Sequence, residues 1–96
     1  MASGLIIANV QVTNPTQYEE YKKWSTAAML AHGAEVVARG GKVEVLEGDW
    51  TPHRVVILKF PSFEAAKAFN ESAEYAKARQ AREGAAIMRM VVVEGV

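Results

Sequence analysis

Arg54-Val55-Val56-Ile57-Leu58-Lys59-Phe60 is the stretch on which the fold turns. Residues 55–58 are aliphatic without a break, and Val and Ile favour extended backbone. Side chains along a strand point alternately to opposite faces, so an unbroken apolar run predicts a strand buried on both sides of its sheet. Whatever the architecture, it must cover two faces here.

Upstream, Gly48-Asp49-Trp50-Thr51-Pro52 reads as a loop, punctuated by Gly and Pro. Residues 35–39 predict a short strand, and Gly40-Gly41 suits a tight hairpin turn returning the chain along 42–47. Residues 5–12 predict the first strand, with Ile6, Ala8, Val10 and Val12 on one face. Leu5, Ile7, Asn9 and Gln11 fall on the other. Between these strands Asn14-Pro15 opens a helix: Asn14 can cap, Pro15 suits the first helical position, and Gln17 sits where a capping box would place it. Tyr18, Tyr21, Trp24 or Ser25, Ala28 and Ala31 follow at helical spacing until Gly33.

Downstream, Ser62 can cap a helix over 63–70. A break near Glu71-Ser72 precedes a further helix over 73–83, which Gly84 can stop, and 87–94 predict the last strand. No repeat, linker or low-complexity stretch divides the chain, so 1–96 reads as a single domain.

The order is strand, helix, strand, strand, helix, strand: an α+β fold with the helices on one face of an antiparallel sheet. The other face carries Leu5, Ile7, Val55, Ile57, Val91 and Val93, too apolar to meet water as one patch. Burying each such side chain is worth roughly 1.5–3 kcal/mol, so a covering surface is strongly favoured. The simplest is a second copy packed sheet to sheet about a two-fold axis, a homodimer.

Composition removes several function classes. Lys plus Arg balance Asp plus Glu at 11 each, so no net field draws the chain to nucleic acid or anionic lipid. There is no cysteine, which excludes disulfides, thiol nucleophiles and thiolate metal sites. With two histidines and neither an EF-hand nor a zinc-protease motif, no metal site is expected and nothing implies a cofactor. The apolar run at the N-terminus is too short to span a membrane and lacks the layout of a signal peptide; the default location is cytoplasmic.

The residues left to carry chemistry are few. His53, between the Trp50 loop and the strongest strand, is a candidate general base, with Arg54 beside it to hold an anionic group. The bland alternative for His53 is a solvated loop-end residue. His32 stands at a helix C-terminus, where an imidazolium meets the helix dipole favourably. Asn9 interrupts an apolar strand; it either lines a polar spot or bonds a neighbour. Arg39, Arg82 and Arg89 can reach an anion, although a salt bridge to one of the acids is the commoner use. Trp50, Tyr18, Tyr21 and Tyr75 can wall a pocket, with Tyr21 better placed as ordinary core. Gly40-Gly41 has no phosphate-loop motif around it, and Glu44 with Glu47 reads as a solvated edge.

Several segments in order resemble the bacterial family known as domain of unknown function 1330, within the dimeric α/β-barrel superfamily. They are Val12-Thr13-Asn14-Pro15 with Tyr18 and Tyr21, Val37-Ala38-Arg39-Gly40-Gly41, and Leu46-Glu47-Gly48-Asp49-Trp50-Thr51-Pro52-His53-Arg54. Phe60-Pro61-Ser62 with Ala65-Ala66, Ser72-Ala73-Glu74-Tyr75, Arg82 and Val93-Glu94-Gly95 complete the set. The resemblance implies a ferredoxin-like monomer and a barrel-forming dimer, and it favours Arg39, Arg54 and Arg82, which fall on matching motif positions. The sequence departs from the pattern at Asn14 (usually Asp), Ala34 (Gly), Phe69-Asn70 (Trp-Tyr) and Ala73 (Pro). Superfamily relatives include cofactor-free monooxygenases, isomerases and cyclases acting on small compounds. By that analogy the candidate site is His53, Arg54, Asn9 and Trp50, with Arg39 and Arg82 as further ligand contacts. Non-catalytic metabolite binding, or dimerisation alone, are the other readings.

Overall fold

The computed structural model describes residues 2–96. The 54–60 run that opened the sequence reading is β3 (Arg54–Phe60), an inner strand. It lies between β1 (Gly4–Val12) and β2 (Glu35–Arg39), and β4 (Ala86–Glu94) flanks β1 on the far side. The sheet order is β2-β3-β1-β4, and every neighbouring pair is antiparallel. This is the antiparallel α+β sheet expected from the element order, in the ferredoxin-like topology that the family resemblance implied.

Helix α1 (Pro15–Ala31) follows β1, and α2 (Phe63–Glu71) and α3 (Ala73–Ala81) connect β3 to β4. The caps form as their residues predict. Asn14 Oδ1 accepts from the Gln17 amide at 3.1 Å, Ser62 Oγ from Ala65 at 3.0 Å and Ser72 Oγ from Tyr75 at 3.1 Å. Ser72 thus ends α2 and starts α3, which accounts for the break read there. Gln17 does not complete a capping box. Its side-chain amide donates instead to the carbonyls of Ala81 and Glu83, at 3.1 and 2.7 Å, closing the C-terminal end of α3.

All three helices cover the face carrying Ile6, Ala8, Val10, Leu58 and Phe60. On α1 the buried stripe is Tyr18, Tyr21, Ser25 and Ala28, with Met29 beside it; Ser25 rather than Trp24 faces inward. Phe69 and Tyr75 continue this core, their ring centres 4.9 Å apart, and Phe69 meets Phe60 at 5.1 Å. Gly4 fits here for a steric reason: a Cβ on it would fall within 2.2 Å of the Ser62 carbonyl oxygen at the start of α2.

The predicted hairpin over 35–47 does not form. β2 pairs with β3, Glu35 opposite Lys59 and Arg39 opposite Val56, with an irregularity between Val36 and Ala38. The Gly40 amide then donates to the Val55 carbonyl at 2.9 Å, so the chain continues along β3 where a hairpin would have reversed it. Residues 41–53 run on outside any strand, and 40–51 are all exposed.

Among the described residues no helix covers the second face of the sheet. Its central row is Ile57, Ile7 and Val91 on three adjacent strands, with Leu5 opposite Val93 in the next row. Ile7, Val91 and Val93 are 36, 61 and 43% exposed. The apolar face expected from the alternation is therefore present and bare in a single copy.

Candidate functional site

Strand alternation sorts the candidate residues before any contact is measured. Arg54 stands opposite Val10, and Arg39 opposite Val56, which in turn faces Ala8; both arginines therefore point to the helix side. Asn9 stands between Val55 and Arg89, on the open side. Consecutive residues cannot share a face, so His53 and Arg54 serve different cavities. The sheet divides the constellation of His53, Arg54, Asn9 and Trp50 into two groups.

On the helix side, an internal cavity of about 30 Å³ lies between sheet and helices. That is room for roughly one or two waters. Its polar wall comes from five elements: Tyr21 and Ser25 on α1, Arg39 on β2, Arg54 on β3, Tyr75 on α3 and, as a thioether, Met88 on β4. Phe69, where the family pattern has an aromatic pair, closes one side. Arg39 and Arg54 also line a wide groove of about 690 Å³ on the outside, with Thr26, Glu19, Lys22 and Lys23. The two guanidinium groups thus stand at the mouth between interior and solvent.

The interior is organised by a pair of tyrosines. Tyr21 and Tyr75 hydroxyl oxygens are 2.8 Å apart, and Tyr75 donates on to the Met88 sulfur at 3.8 Å. Tyr75 has one proton to give, so Tyr21 donates within the pair. Burial pushes the Tyr21 phenol far above the usual tyrosine range, and Tyr75 and Tyr18 push the same way; Arg82 opposes them. Tyr21 is therefore a proton-holding phenol at neutral pH, suited to donate a hydrogen bond and unsuited to act as a base.

The arginines are under-used. Arg39 Nη2 donates to Thr26 Oγ1 at 2.9 Å; the Arg54 guanidinium lies 5.9 Å from the Tyr18 ring centre and that of Arg82 5.9 Å from the Tyr21 ring. The Nε atoms of Arg54 and Arg82 are buried without a hydrogen-bond partner. Among the described residues the ion pairs are Lys22–Glu19, Lys23–Glu20 and His32–Glu74. None involves Arg39, Arg54, Arg82 or Arg89, contrary to the expectation of ordinary salt bridges. Gly40 makes room for this arrangement: its φ is +74°, and a Cβ there would fall 2.2 Å from Arg54 Nη1.

On the open side, Asn9, Asp49, Trp50, His53 and Arg89 line a polar cleft of about 310 Å³. Asn9 Oδ1 accepts from the His53 backbone amide at 2.9 Å, so the interrupting amide ties the loop end to β1. The His53 imidazole is exposed. His32, also set aside by the sequence reading, caps α1 and bonds Glu74 of α3 through Nε2 at 3.0 Å. No group of three or more metal-ligating side chains occurs among the described residues.

The segments that suggested a family are matched by its model over residues 3–96, described as Domain of unknown function (DUF1330). The chain belongs to the DUF1330 family. No curated protein matches this DUF1330 chain. Among solved structures it is similar to a protein of unknown function from Rhodopseudomonas palustris, at 20% identity and a TM-score of 0.76. That match covers 99% of this chain and 83% of the other. It is also similar to SnoaB, a cofactor-independent oxygenase from Streptomyces nogalater (11% identity, TM-score 0.66, 97% and 92% covered). A third likeness is to a dimeric ferredoxin-like protein of unknown function from Bacteroides fragilis (11%, TM-score 0.58, 97% and 94%). At such identities the likeness is one of fold, and chemistry must be argued from the site.

The sequence reading missed the Tyr21–Tyr75 bond, Thr26 and Met88, and had Ser25 only as an alternative to Trp24 on the inward stripe of α1. The alternation of β3 was the available signal for Arg54: it shares a face with Val56, Leu58 and Phe60. Nothing local announces that Tyr21 and Tyr75, 54 positions apart, share a proton.

Proposed function

We propose that the protein binds a small anionic compound with a flat, largely apolar body in the cleft between sheet and helices. The observation that carries this reading is the placement of Arg39 and Arg54, unpaired with any carboxylate, on both the inner cavity and the outer groove. Buried guanidinium donors without partners favour a carboxylate or similar oxyanion, and Arg matches such groups with two parallel donors. The rings of Tyr18, Tyr21 and Phe69 and the thioether of Met88 suit an aromatic body. The ligand enters by displacing Arg54 and Arg39 outward, because the inner cavity alone holds no more than water. Arg82, over the Tyr21 ring, supports the site from the end of α3.

Pairing of two copies through their open faces is the second part of the reading. The bare row of Ile57, Ile7 and Val91 supports it, as does the shared fold with a dimeric protein. Catalysis without a cofactor, of monooxygenase, isomerase or cyclase type, finds support in the fold shared with SnoaB and in a tyrosine that keeps its proton. In that version Tyr21 is the hydrogen-bond donor. His53 as general base, with Asn9 and Trp50, would serve only a substrate held in the cleft on the opposite face.

Calorimetric titration of the protein with hydroxybenzoates and their uncharged amides tests the binding reading. The acids bind and the amides bind at least tenfold more weakly. Arg54→Met lowers affinity about 10- to 100-fold, the worth of one charge-assisted hydrogen bond, while Arg89→Met leaves it unchanged. Equal binding of acids and amides, or equal loss in the two variants, would remove the assignment.

A further inference from the structure

A hydroxyl in a cavity wall offers a ligand its proton or its lone pairs, and which of them is left depends on where the proton already goes. Around the inner cavity three such protons are engaged. Tyr75 donates to the Met88 sulfur at 3.8 Å, Tyr21 donates to Tyr75 across 2.8 Å, and Ser25 Oγ donates to the Lys22 carbonyl at 3.2 Å. The reverse order within the tyrosine pair would leave the Tyr21 proton buried without a partner among the described residues, which folded interiors avoid. Ionisation offers no way out, because burial holds the Tyr21 phenol protonated.

Two oxygens are left with lone pairs that accept from nothing, Tyr21 Oη and Ser25 Oγ. Both residues line the cavity, and four positions apart on α1 they share one face of the helix. The mouth is the converse. Arg39 and Arg54 carry guanidinium groups, which donate and never accept. Tyr18, whose hydroxyl has no bond among the described residues, belongs with them, its ring lying 5.9 Å from the Arg54 guanidinium. The cavity therefore has a direction, with donors at its entrance and acceptors at its inner end.

We infer that the ligand is an aromatic hydroxy acid that enters with its carboxylate outward and its hydroxyl inward, the hydroxyl donating to Tyr21 Oη or Ser25 Oγ. Size agrees with polarity: space for one or two waters admits a hydroxyl. A carbonyl or ether oxygen brought to the same point sets lone pairs against lone pairs and is desolvated without gaining a bond. This inference rests on the binding site proposed above and adds the group at the ligand's inner end. It is exclusive with Tyr21 donating to a substrate oxygen, as in the catalytic version, since that requires the Tyr21–Tyr75–Met88 chain to reverse.

Calorimetric titration of the full chain with meta- and para-hydroxybenzoate, and with the fluorobenzoates and formylbenzoates substituted at the same positions, reads the inner end. Fluorine is close to hydroxyl in size and brings no proton, whereas a formyl oxygen only accepts. At the better ring position the hydroxy acid binds at least about tenfold more tightly than either counterpart, because each counterpart leaves a buried acceptor unpaired. That advantage falls about tenfold in Tyr21→Phe or in Ser25→Ala, while both variants still prefer acids to amides. A formylbenzoate as tight as the hydroxy acid overturns the inference, because Tyr21 then presents its proton to the ligand. Equal binding of hydroxy and fluoro acids overturns it too, as does a hydroxyl advantage that survives both variants. In those cases a retained preference for acids over amides keeps Arg39 and Arg54 in their role. Loss of that preference in the wild type removes the binding site itself, and the inference with it.

Discussion

Removing the hydroxyl of Tyr75 tests the interior more sharply than any other single change. In Tyr75→Phe the Tyr21 hydroxyl loses its acceptor at 2.8 Å and remains buried. An orphaned buried donor costs about 1–3 kcal/mol. Tyr21→Phe is the gentler change: the Tyr75 hydroxyl keeps the Met88 sulfur at 3.8 Å, so the loss is the net worth of one hydrogen bond, about 0.5–1.5 kcal/mol. The double variant leaves no orphan and is no less stable than Tyr75→Phe alone, giving a coupling of about 1 kcal/mol. Urea unfolding at one fixed chain concentration reads these values, since association makes midpoints concentration-dependent. With a slope near 1 kcal/mol per molar, Tyr75→Phe lowers the midpoint by about 1–3 M. The same pair sets an alkaline limit. Tyr21 is held protonated above its ordinary value of 10.0, so its contribution is complete below about pH 10 and is lost as pH climbs beyond that. Tyr21→Phe flattens that limb. Additive single effects, or a costlier Tyr21→Phe, would refute the direction of the shared proton.

Two further perturbations address the edges of the site. The His32 hydrogen bond holds the Glu74 carboxyl below its ordinary value of 4.5, so the linkage contributes stability above that pH that fades as pH falls through the lowered value. Glu74→Gln therefore removes a small stability contribution that is present at pH 6 and fades as the pH is taken down below 4.5, as pH-dependent thermal melts would show. Gly40→Ala places a side chain at φ +74° and drives it into Arg54 Nη1, costing about 1–2 kcal/mol for the backbone alone. Because Arg54 must move, anion binding falls with it, whereas a Gly41→Ala control meets no neighbour and keeps both properties.

Much of the architecture could be read from local chemistry. Asn14, Ser62 and Ser72 cap helices because their side chains reach amides three residues on, which is a property of neighbours in sequence. The alternation in β1 put Ile6, Ala8 and Val10 against the helices and left Leu5 and Ile7 for the other side, since strand period is fixed by backbone geometry. The family segments, spread along nearly the whole chain, gave the same topology.

The site belongs to the tertiary structure. Arg39, Arg54, Tyr21 and Tyr75 come from four elements, and only the sheet order and the packing of α1 beside α3 bring them to one cavity. Adjacency misled at His53 and Arg54, because neighbours on an extended chain face apart. It misled again at Gly40-Gly41, where a turn-forming pair was overruled by the Gly40 amide's bond to Val55 across the sheet. Short-range preferences such as caps and alternation are written residue by residue in the sequence. Which carboxylate an arginine fails to meet, and which tyrosine receives a proton, depend on distances between remote segments, and those distances exist only once the helices have closed over the sheet.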